Sequence, residues 1–199
     1  MHAYFDGKAA DYDSLSRRGL WAKVRVMEGQ ELARLLGPLK DVELLDLGCG
    51  SGHYAMWARS KGARVFGVDS SPRMIEELRK KGIEGRCADV TSLSLERRFP
   101  LILAAGVVEF IADERKFFEV ARSHCTSEGR LVLLAPRAGL MGKAYEPSHA
   151  WMGCSAVARP VVALEAAAAE AGWQLDSAQG AGPLAVALRF TVSQGGGHG

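Results

Sequence analysis

The sequence predicts an α/β fold in which a parallel β-sheet carries helices on both faces. From about residue 42 onward, short apolar segments alternate with segments of helical character, and such strands pair in parallel through right-handed crossovers. The first apolar segment ends in a glycine-rich turn, and Asp69 and Asp89 end the second and third. Because ligands of these sheets bind at the carboxyl ends of the strands, these residues predict a ligand site at that edge.

Three strands and two helices form the first half of the alternation. We predict strands at 42–47, 64–69 and 83–89 and helices at 53–61 and 70–81. The strands should be apolar throughout, because both faces of a parallel sheet are buried. Ser71 and Pro72 begin the second helix, since a hydroxyl caps the first turn and proline fits it. Gly62 and Gly82 end the two helices.

The second half of the chain continues this pattern and ends in a hairpin. The predicted elements are strands at 101–105 and 130–135, a helix at 113–124, an alanine-rich helix at 165–171, and strands at 173–179 and 184–192 joined by 180–183. Residues 3–36 are predicted to be largely helical, whereas 136–159 show no strong periodicity.

Composition and charge disfavour several classes of protein. A formal net charge of +2 provides no broad field for nucleic acid. No apolar run approaches the roughly 20 residues that cross a bilayer, and the first residues lack the pattern of a signal peptide, so we expect a cytoplasmic protein. The four cysteines are far apart and no ligand spacing for zinc is present, so we predict no metal site.

The turn Gly48-Cys49-Gly50-Ser51-Gly52 lies between a strand and a helix. Glycine lets a ligand approach the backbone closely, and the following helix offers unpaired N–H groups to an anion, either a pyrophosphate or a carboxylate. A dinucleotide fingerprint requires its third glycine one residue later, where His53 stands. The spacing therefore argues against NAD and favours a ligand with a compact amino-acid end.

Three acidic residues stand at the ends of successive predicted strands. Asp69 can accept both hydroxyls of a ribose in either class of cofactor, Asp89 can accept an adenine amino hydrogen, and Asp46 would be stabilised in its charged form by a cationic amino group. The alternative for each single aspartate is a turn or a helix cap. Three of them at one sheet edge favour a ligand site.

Five segments together resemble the motifs of class I S-adenosylmethionine-dependent methyltransferases of the small-molecule type. They are 44–52, 65–74, 87–90, 101–110 and 128–132. Tyr4-Phe5-Asp6 and Ala10-Asp11-Tyr12-Asp13 are similar to the opening of those enzymes. The resemblance implies a three-layer Rossmann-like fold with seven strands in the order 3-2-1-4-5-7-6, of which only strand 7 is antiparallel.

The resemblance also implies which residues hold S-adenosylmethionine. The methionine end would lie against Asp46, Gly48, Cys49, Gly50 and Gly52, the ribose against Asp69 and Ser70, and the adenine against Met74, Asp89 and Val90. Ala105 and Gly106 would pass beside the sulfonium, and Tyr12 would cover the cofactor.

We treat residues 1–199 as one methyltransferase domain with five parts. These parts are an N-terminal helical cap (1–37), a cofactor-binding core (42–135), a substrate lid region (136–159), a terminal helix and hairpin (160–192) and a flexible tail (193–199).

The acceptor side is less clearly marked in the sequence. Candidate catalytic residues are His149, Glu109 and Tyr145. The alternative for His149 is a histidine on a surface loop, and the alternative for Glu109 is a carboxylate that stabilises the start of a helix. Many relatives have histidine after the glutamate of the fourth-strand turn, but this chain has Phe110. That difference weakens the inference, drawn from the resemblance, that a histidine acts as the base at this position.

We expect a small-molecule substrate, no nucleic-acid or membrane partner, and a monomer or homodimer. Two other functions compete with methyl transfer: a protein that binds S-adenosylmethionine without transferring its methyl group, and a nucleotide-dependent oxidoreductase. The glycine spacing counts against the oxidoreductase. Two observations disfavour a nucleic-acid methyltransferase. The net charge of the chain is close to neutral, and Ala105-Gly106-Val107-Val108 stands after the fourth strand in place of an N/D-P-P-Y/F tetrad.

Overall fold

The computed structural model describes residues 20–138 and 156–193. Its strands form one sheet in the order β3-β2-β1-β4-β5-β7-β6. The strands are β1 Glu43–Leu47, β2 Arg64–Asp69, β3 Glu84–Cys87, β4 Phe99–Ala105, β5 Cys125–Pro136, β6 Trp173–Ala181 and β7 Ala185–Val192. Only β7 runs antiparallel to its neighbours β5 and β6. The predicted seven-stranded order is therefore confirmed.

Five helices accompany the sheet within the described ranges. They are α1 Leu20–Leu36, α2 His53–Ser60, α3 Pro72–Lys80, α4 Glu114–Ser123 and α5 Val161–Glu170, with a single 3₁₀ turn at Val108–Phe110. Ser71 caps α3 as predicted, because its Oγ accepts a hydrogen bond from Met74 N at 3.2 Å. Asp113 caps α4 in the same way.

The two largest of three hydrophobic cores lie on opposite faces of the sheet because side chains alternate along each strand. On β5, Leu131 and Leu133 join the core that includes α4 and α5, whereas Val132 and Leu134 join the core of α1 and α2. Both cores contain fully buried side chains from β1 and β4. This alternation produces the three layers that the resemblance implied.

Several predicted elements were wrong in their limits, among them strand β4, which begins at Phe99 rather than 101. Edge strand β3 is shorter than 83–89 and is not apolar, because Glu84 and Arg86 point into solvent at the end of the sheet. Strand β5 begins at Cys125 rather than 130, with a register shift opposite Phe99 and Leu101. The final helix begins at Val161 rather than 165, and the hairpin turn narrows to residues 182–184.

Two further findings concern the same residues. In the described ranges, no helix combines the length and apolar character needed to cross a membrane. Nor do His, Cys, Asp and Glu side chains within those ranges form a group able to hold a metal ion.

Candidate functional site

The glycine turn between β1 and α2 uses its three glycines in two different ways. All three have positive φ, at 72° for Gly48, 53° for Gly50 and 93° for Gly52, a conformation that side chains disfavour. A Cβ on Gly48 would overlap Val107, and one on Gly52 would overlap Leu78. A Cβ on Gly50 would meet no atom within 4 Å. Gly50 is therefore the position at which the turn is open to a ligand.

Asp69, at the carboxyl end of β2, is bound to the glycine turn. Its Oδ2 accepts a hydrogen bond from Gly50 N at 2.9 Å, and its Oδ1 accepts one from Ser71 N at 2.9 Å. Both oxygens of this carboxylate thus accept hydrogen bonds from main-chain N–H groups. Asp69 is half-buried, and its hydrogen bond to Gly50 places the carboxylate beside the open position of the turn.

Asp46, on β1, is a buried acid with an unsatisfied oxygen. The residue is 2% exposed, and its Oδ2 has no hydrogen-bond partner among the described residues. Burial, and secondarily the like charge of Asp69, raise the pKa of Asp46 to about 7. An uncompensated carboxylate of this kind gains stability from a cation or a hydrogen-bond donor.

Three of the predicted cofactor residues have their side chains in hydrophobic cores. Cys49 is 8% exposed, Met74 is 4% exposed and Val90 is 6% exposed. The thiol of Cys49 lies under Gly67, where a Cβ would stand 2.8 Å from Sγ. Ser70, by contrast, is half-buried directly after β2. Roles for the first three thus depend on main-chain atoms or on the small exposed part of each side chain.

Asp89 lies two residues beyond the end of β3 and is exposed. Its Oδ1 accepts hydrogen bonds from Thr91 N at 2.8 Å and Thr91 Oγ1 at 2.7 Å. The aspartate therefore forms a turn, which is the structural alternative that the sequence left open. The same turn fixes the carboxylate near the carboxyl edge of the sheet.

The turn after β4 contains a second buried acid. Ala105 is half-buried, and Gly106 is exposed with φ 69° while its N–H donates to Leu134 O at 2.9 Å. Glu109 follows, is 3% exposed, and its Oε2 has no hydrogen-bond partner in the described part of the chain. Burial raises the pKa of Glu109 to about 7, although the charges of Arg159 and Arg25 act in the opposite direction.

A cluster of three polar side chains beside the glycine turn was missed by sequence reasoning. Tyr54 Oη donates to Glu28 Oε2 at 2.7 Å, and Arg25 Nη1 donates to Glu28 Oε2 at 2.9 Å and to Tyr54 Oη at 2.8 Å. Glu28 is 7% exposed. The sequence spacing could have indicated that Glu28 is buried, because Val24, Glu28 and Leu32 fall on one helical stripe that is otherwise apolar.

The two ends of the predicted lid region are attached to described elements. Arg137 N donates to Leu184 O at 2.8 Å in the β6–β7 turn, and Val157 N donates to Glu109 O at 2.8 Å. Arg159 pairs with Glu114 and donates from Nη1 to Val157 O at 3.0 Å. The chain thus leaves and returns at the carboxyl edge of the sheet.

Three predicted site residues lie outside the described residues. They are Tyr12, Tyr145 and His149. Most of the lid region and nearly all of the tail (139–155 and 194–199) also lie there. These assignments remain predictions.

Comparisons with known proteins point to one family. A family profile described as a methyltransferase domain matches residues 45–133. A ubiquinone biosynthesis O-methyltransferase from Nitrobacter winogradskyi is 38% identical over 93 residues, which cover 44% of this chain and 36% of that protein. A trans-aconitate 2-methyltransferase from Escherichia coli is 33% identical over 126 residues, covering 61% of this chain and 47% of that protein.

The chain thus spans between about a third and a half of the length of the curated relatives it matches. Among solved structures, the magnesium protoporphyrin IX methyltransferase from Synechocystis with bound S-adenosylhomocysteine aligns with a TM-score of 0.75 at 16% identity. The alignment covers 96% of this chain and 98% of that chain. At this level of identity, the likeness shows a shared fold.

Proposed function

We propose, since residues 45–133 belong to the methyltransferase-domain family, that this chain binds S-adenosylmethionine and transfers its methyl group to a small molecule. When bound, S-adenosylmethionine supplies an activated methyl group on a sulfonium. The enzyme's part is then chiefly to hold the nucleophile in line with that methyl group, at a near-attack distance of roughly 3 Å.

The observation that carries the proposal is that Gly50 in the glycine turn and Asp46 on β1 both lie near Asp69. Gly50 leaves space for a ligand against the backbone, and Asp46 provides a buried carboxylate oxygen without a described partner. A cationic ammonium group near Asp46 would satisfy that oxygen and favour its charged form. A pyrophosphate at the same place would be repelled, so the residues fit S-adenosylmethionine better than a dinucleotide.

The remaining cofactor roles follow the sheet edge. Asp69 would accept the ribose hydroxyls, and Asp89 would accept an adenine amino hydrogen. The other predicted contacts are Gly48, Cys49, Gly52, Ser70, Met74, Val90, Ala105 and Gly106, with Tyr12 as a cover. Cys49, Met74 and Val90 would contact the cofactor through main-chain atoms or through the small exposed part of each side chain.

On the acceptor side we propose Glu109 as a residue that contacts the substrate, with Tyr145 and His149 as further candidates. The segment 136–159 would form the lid over the acceptor. We further propose a cytoplasmic protein that acts as a monomer or homodimer on a small molecule, without a nucleic-acid or membrane partner.

Titration calorimetry on the full chain tests the cofactor assignment. We expect S-adenosylmethionine and S-adenosylhomocysteine to bind with dissociation constants in the micromolar range, and NADH not to bind. Binding of NADH without S-adenosylmethionine would overturn the proposal. Tight binding of S-adenosylmethionine with no transfer to any acceptor would instead favour a binding protein without methyl transfer.

A further inference from the structure

The glycine turn is held from α3 as well as from β2. On the β2 side, Gly50 N donates to Asp69 Oδ2 at 2.9 Å. On the α3 side, Lys81, which follows the helix as its C-terminal cap, donates from Nζ to Ser51 O at 2.8 Å. Lys81 lies 30 positions after Ser51 in the sequence, and the cofactor assignment does not use it.

The hydrogen bond from Lys81 fixes one end of a rigid peptide unit. Its acceptor, Ser51 O, belongs to the unit that joins Ser51 to Gly52. At the other end of this unit, Gly52 N donates to Cys49 O at 2.9 Å. Because a trans peptide unit is planar, its C=O and N–H point in opposite directions. The two hydrogen bonds therefore set the orientation of this unit together.

The same peptide unit closes the turn that presents Gly50. The bond between Cys49 O and Gly52 N spans four residues, with Gly50 and Ser51 at the centre. Gly52 has φ 93°, and glycine tolerates many backbone conformations, so the main chain alone does not hold the unit in place. Rotation of the unit would break this bond and displace Gly50, the open position of the turn.

Lys81 differs from the lysine that precedes it. Lys81 is half-buried, its main-chain N–H is anchored to Leu78 O at 3.1 Å, and its acceptor residue Ser51 is 7% exposed. Lys80, by contrast, is exposed and pairs with Glu77 at 2.9 Å. A charge-assisted hydrogen bond to a carbonyl in a buried residue contributes more than an exposed ion pair. Of the two lysines, Lys81 therefore supports the turn.

We propose that Lys81 is a positioning residue for the amino-acid end of S-adenosylmethionine, and that it acts through the peptide unit between Ser51 and Gly52. This inference rests on the proposed function, in which the glycine turn lies against that end of the cofactor. It adds a side chain from outside the turn on which the geometry of the turn depends.

The test compares two ligands by titration calorimetry. S-adenosylhomocysteine has the amino-acid end, whereas methylthioadenosine has the same adenosine and lacks that end. Lys81→Met keeps much of the length of the side chain but removes its charge and its donor. S-adenosylhomocysteine should bind this variant about tenfold more weakly, while the affinity for methylthioadenosine should stay within about twofold of the wild type. A general distortion of the site would weaken both ligands.

Hydrogen exchange in the ligand-free protein, measured by NMR, gives a second readout. The bond to Cys49 O protects Gly52 N–H from exchange. In Lys81→Met the peptide unit loses its other support, so this amide should exchange about tenfold faster. Lys81→Arg keeps a positive charge and hydrogen-bond donors, so it should recover both the affinity for S-adenosylhomocysteine and the protection of Gly52 N–H.

Lys80→Met is the matched control. It makes the same chemical change at the neighbouring position, where the lysine pairs with exposed carboxylates. Both affinities and the exchange of Gly52 N–H should therefore equal those of the wild type.

Four results would each overturn the inference. They are equal weakening of both ligands in Lys81→Met, an unchanged affinity of this variant for S-adenosylhomocysteine, unchanged exchange of Gly52 N–H, and an effect of Lys80→Met as large as that of Lys81→Met. Failure of the proposed function is a different result, because the wild type itself would then bind no S-adenosylmethionine.

Discussion

The two sides of the carboxyl edge are built in opposite ways. The cofactor side (Asp46, the turn 48–52 and Asp69) comes from 24 consecutive positions in the sequence. The other side (Arg25, Glu28, Tyr54 and Glu109) comes from three elements that are distant in the sequence and meet only in the fold. A contiguous site leaves a motif that can be read directly, whereas a dispersed one becomes visible only when the helices are packed.

Both sides nevertheless hold the same kind of group. Asp46 and Glu109 are each almost fully buried, and each has an oxygen without a partner among the described residues. Their surroundings differ, because Asp69 adds a like charge near Asp46 whereas Arg159 and Arg25 place positive charges near Glu109. Asp46 thus lacks a nearby positive charge among these causes, whereas the positive charges near Glu109 favour its charged form against the effect of burial.

Within the cofactor side, the largest contrast we predict is between Gly48→Ala and Gly50→Ala. Gly48→Ala combines positive φ with overlap of Val107, so chemical denaturation should show a loss of about 3 kcal/mol in the free energy of unfolding. Gly50→Ala has only the backbone strain and should lose about 1 kcal/mol, while its affinity for S-adenosylmethionine falls about tenfold. Equal loss of stability in both variants would contradict the open position at Gly50.

Asp69→Asn tests the hydrogen-bonding centre of the same side. The amide keeps the size of the carboxylate but loses its charge and part of its acceptor capacity, so calorimetry should show about 100-fold weaker binding of S-adenosylmethionine. Asp176→Asn, in the exposed pair with Arg189, should bind as the wild type does. An Asp69 variant with normal affinity would remove the ribose assignment.

Asp46→Asn should change binding and stability in opposite directions. Burial raises the pKa of Asp46 from 3.8 to about 7, so its favourable contribution to folding is complete below pH 3.8 and is lost as the pH rises through 7. At pH 8 the variant should therefore be more stable than the ligand-free wild type by about 1–2 kcal/mol. Its affinity for S-adenosylmethionine should fall about tenfold.

Thermal unfolding of both proteins at pH 5 and pH 8 measures the stability difference, which should widen with pH. A constant difference between the two pH values would mean that Asp46 does not titrate in this range. Stronger binding by the variant would remove the ammonium assignment.

The smallest effect should come from Asp89→Asn. The carboxylate is exposed and already holds the turn through Thr91, so loss of one contact to adenine should weaken S-adenosylmethionine binding only about threefold. Thr91→Val is the matched control, because it removes the Thr91 hydroxyl bond and leaves the carboxylate. If the two variants weaken binding equally, the turn matters rather than a contact with adenine.

The sequence predicted the alternating part of the fold closely. The second strand was predicted with its observed limits, 64–69, because a buried strand between two turn signals has sharp boundaries. The start of strand β5 was predicted too late in the sequence, because the first residues of the strand are partly polar and Gly129 interrupts them. A Cβ on Gly129 would stand 3.0 Å from Pro100 O on the neighbouring strand β4, a tertiary contact that the local sequence pattern does not contain.

The site was predictable to the extent that it follows the motif. Asp46, Gly50 and Asp69 lie together at the sheet edge as predicted. The burial of Met74 and Val90 was not foreseen, because the motif names positions but not side-chain directions. Glu28 was missed because a glutamate in a helix is ordinary until its neighbours show that it faces inward.

Strand β7 has a consequence for how the chain folds during synthesis. It follows all other described strands in the sequence, yet it lies inside the sheet between β5 and β6. Until residues 185–192 have been made, the apolar strand β5 has an open edge, a state prone to pairing with other chains. A ribosome that stalls before this strand would therefore release an aggregation-prone intermediate, and chaperone demand should be greatest late in translation.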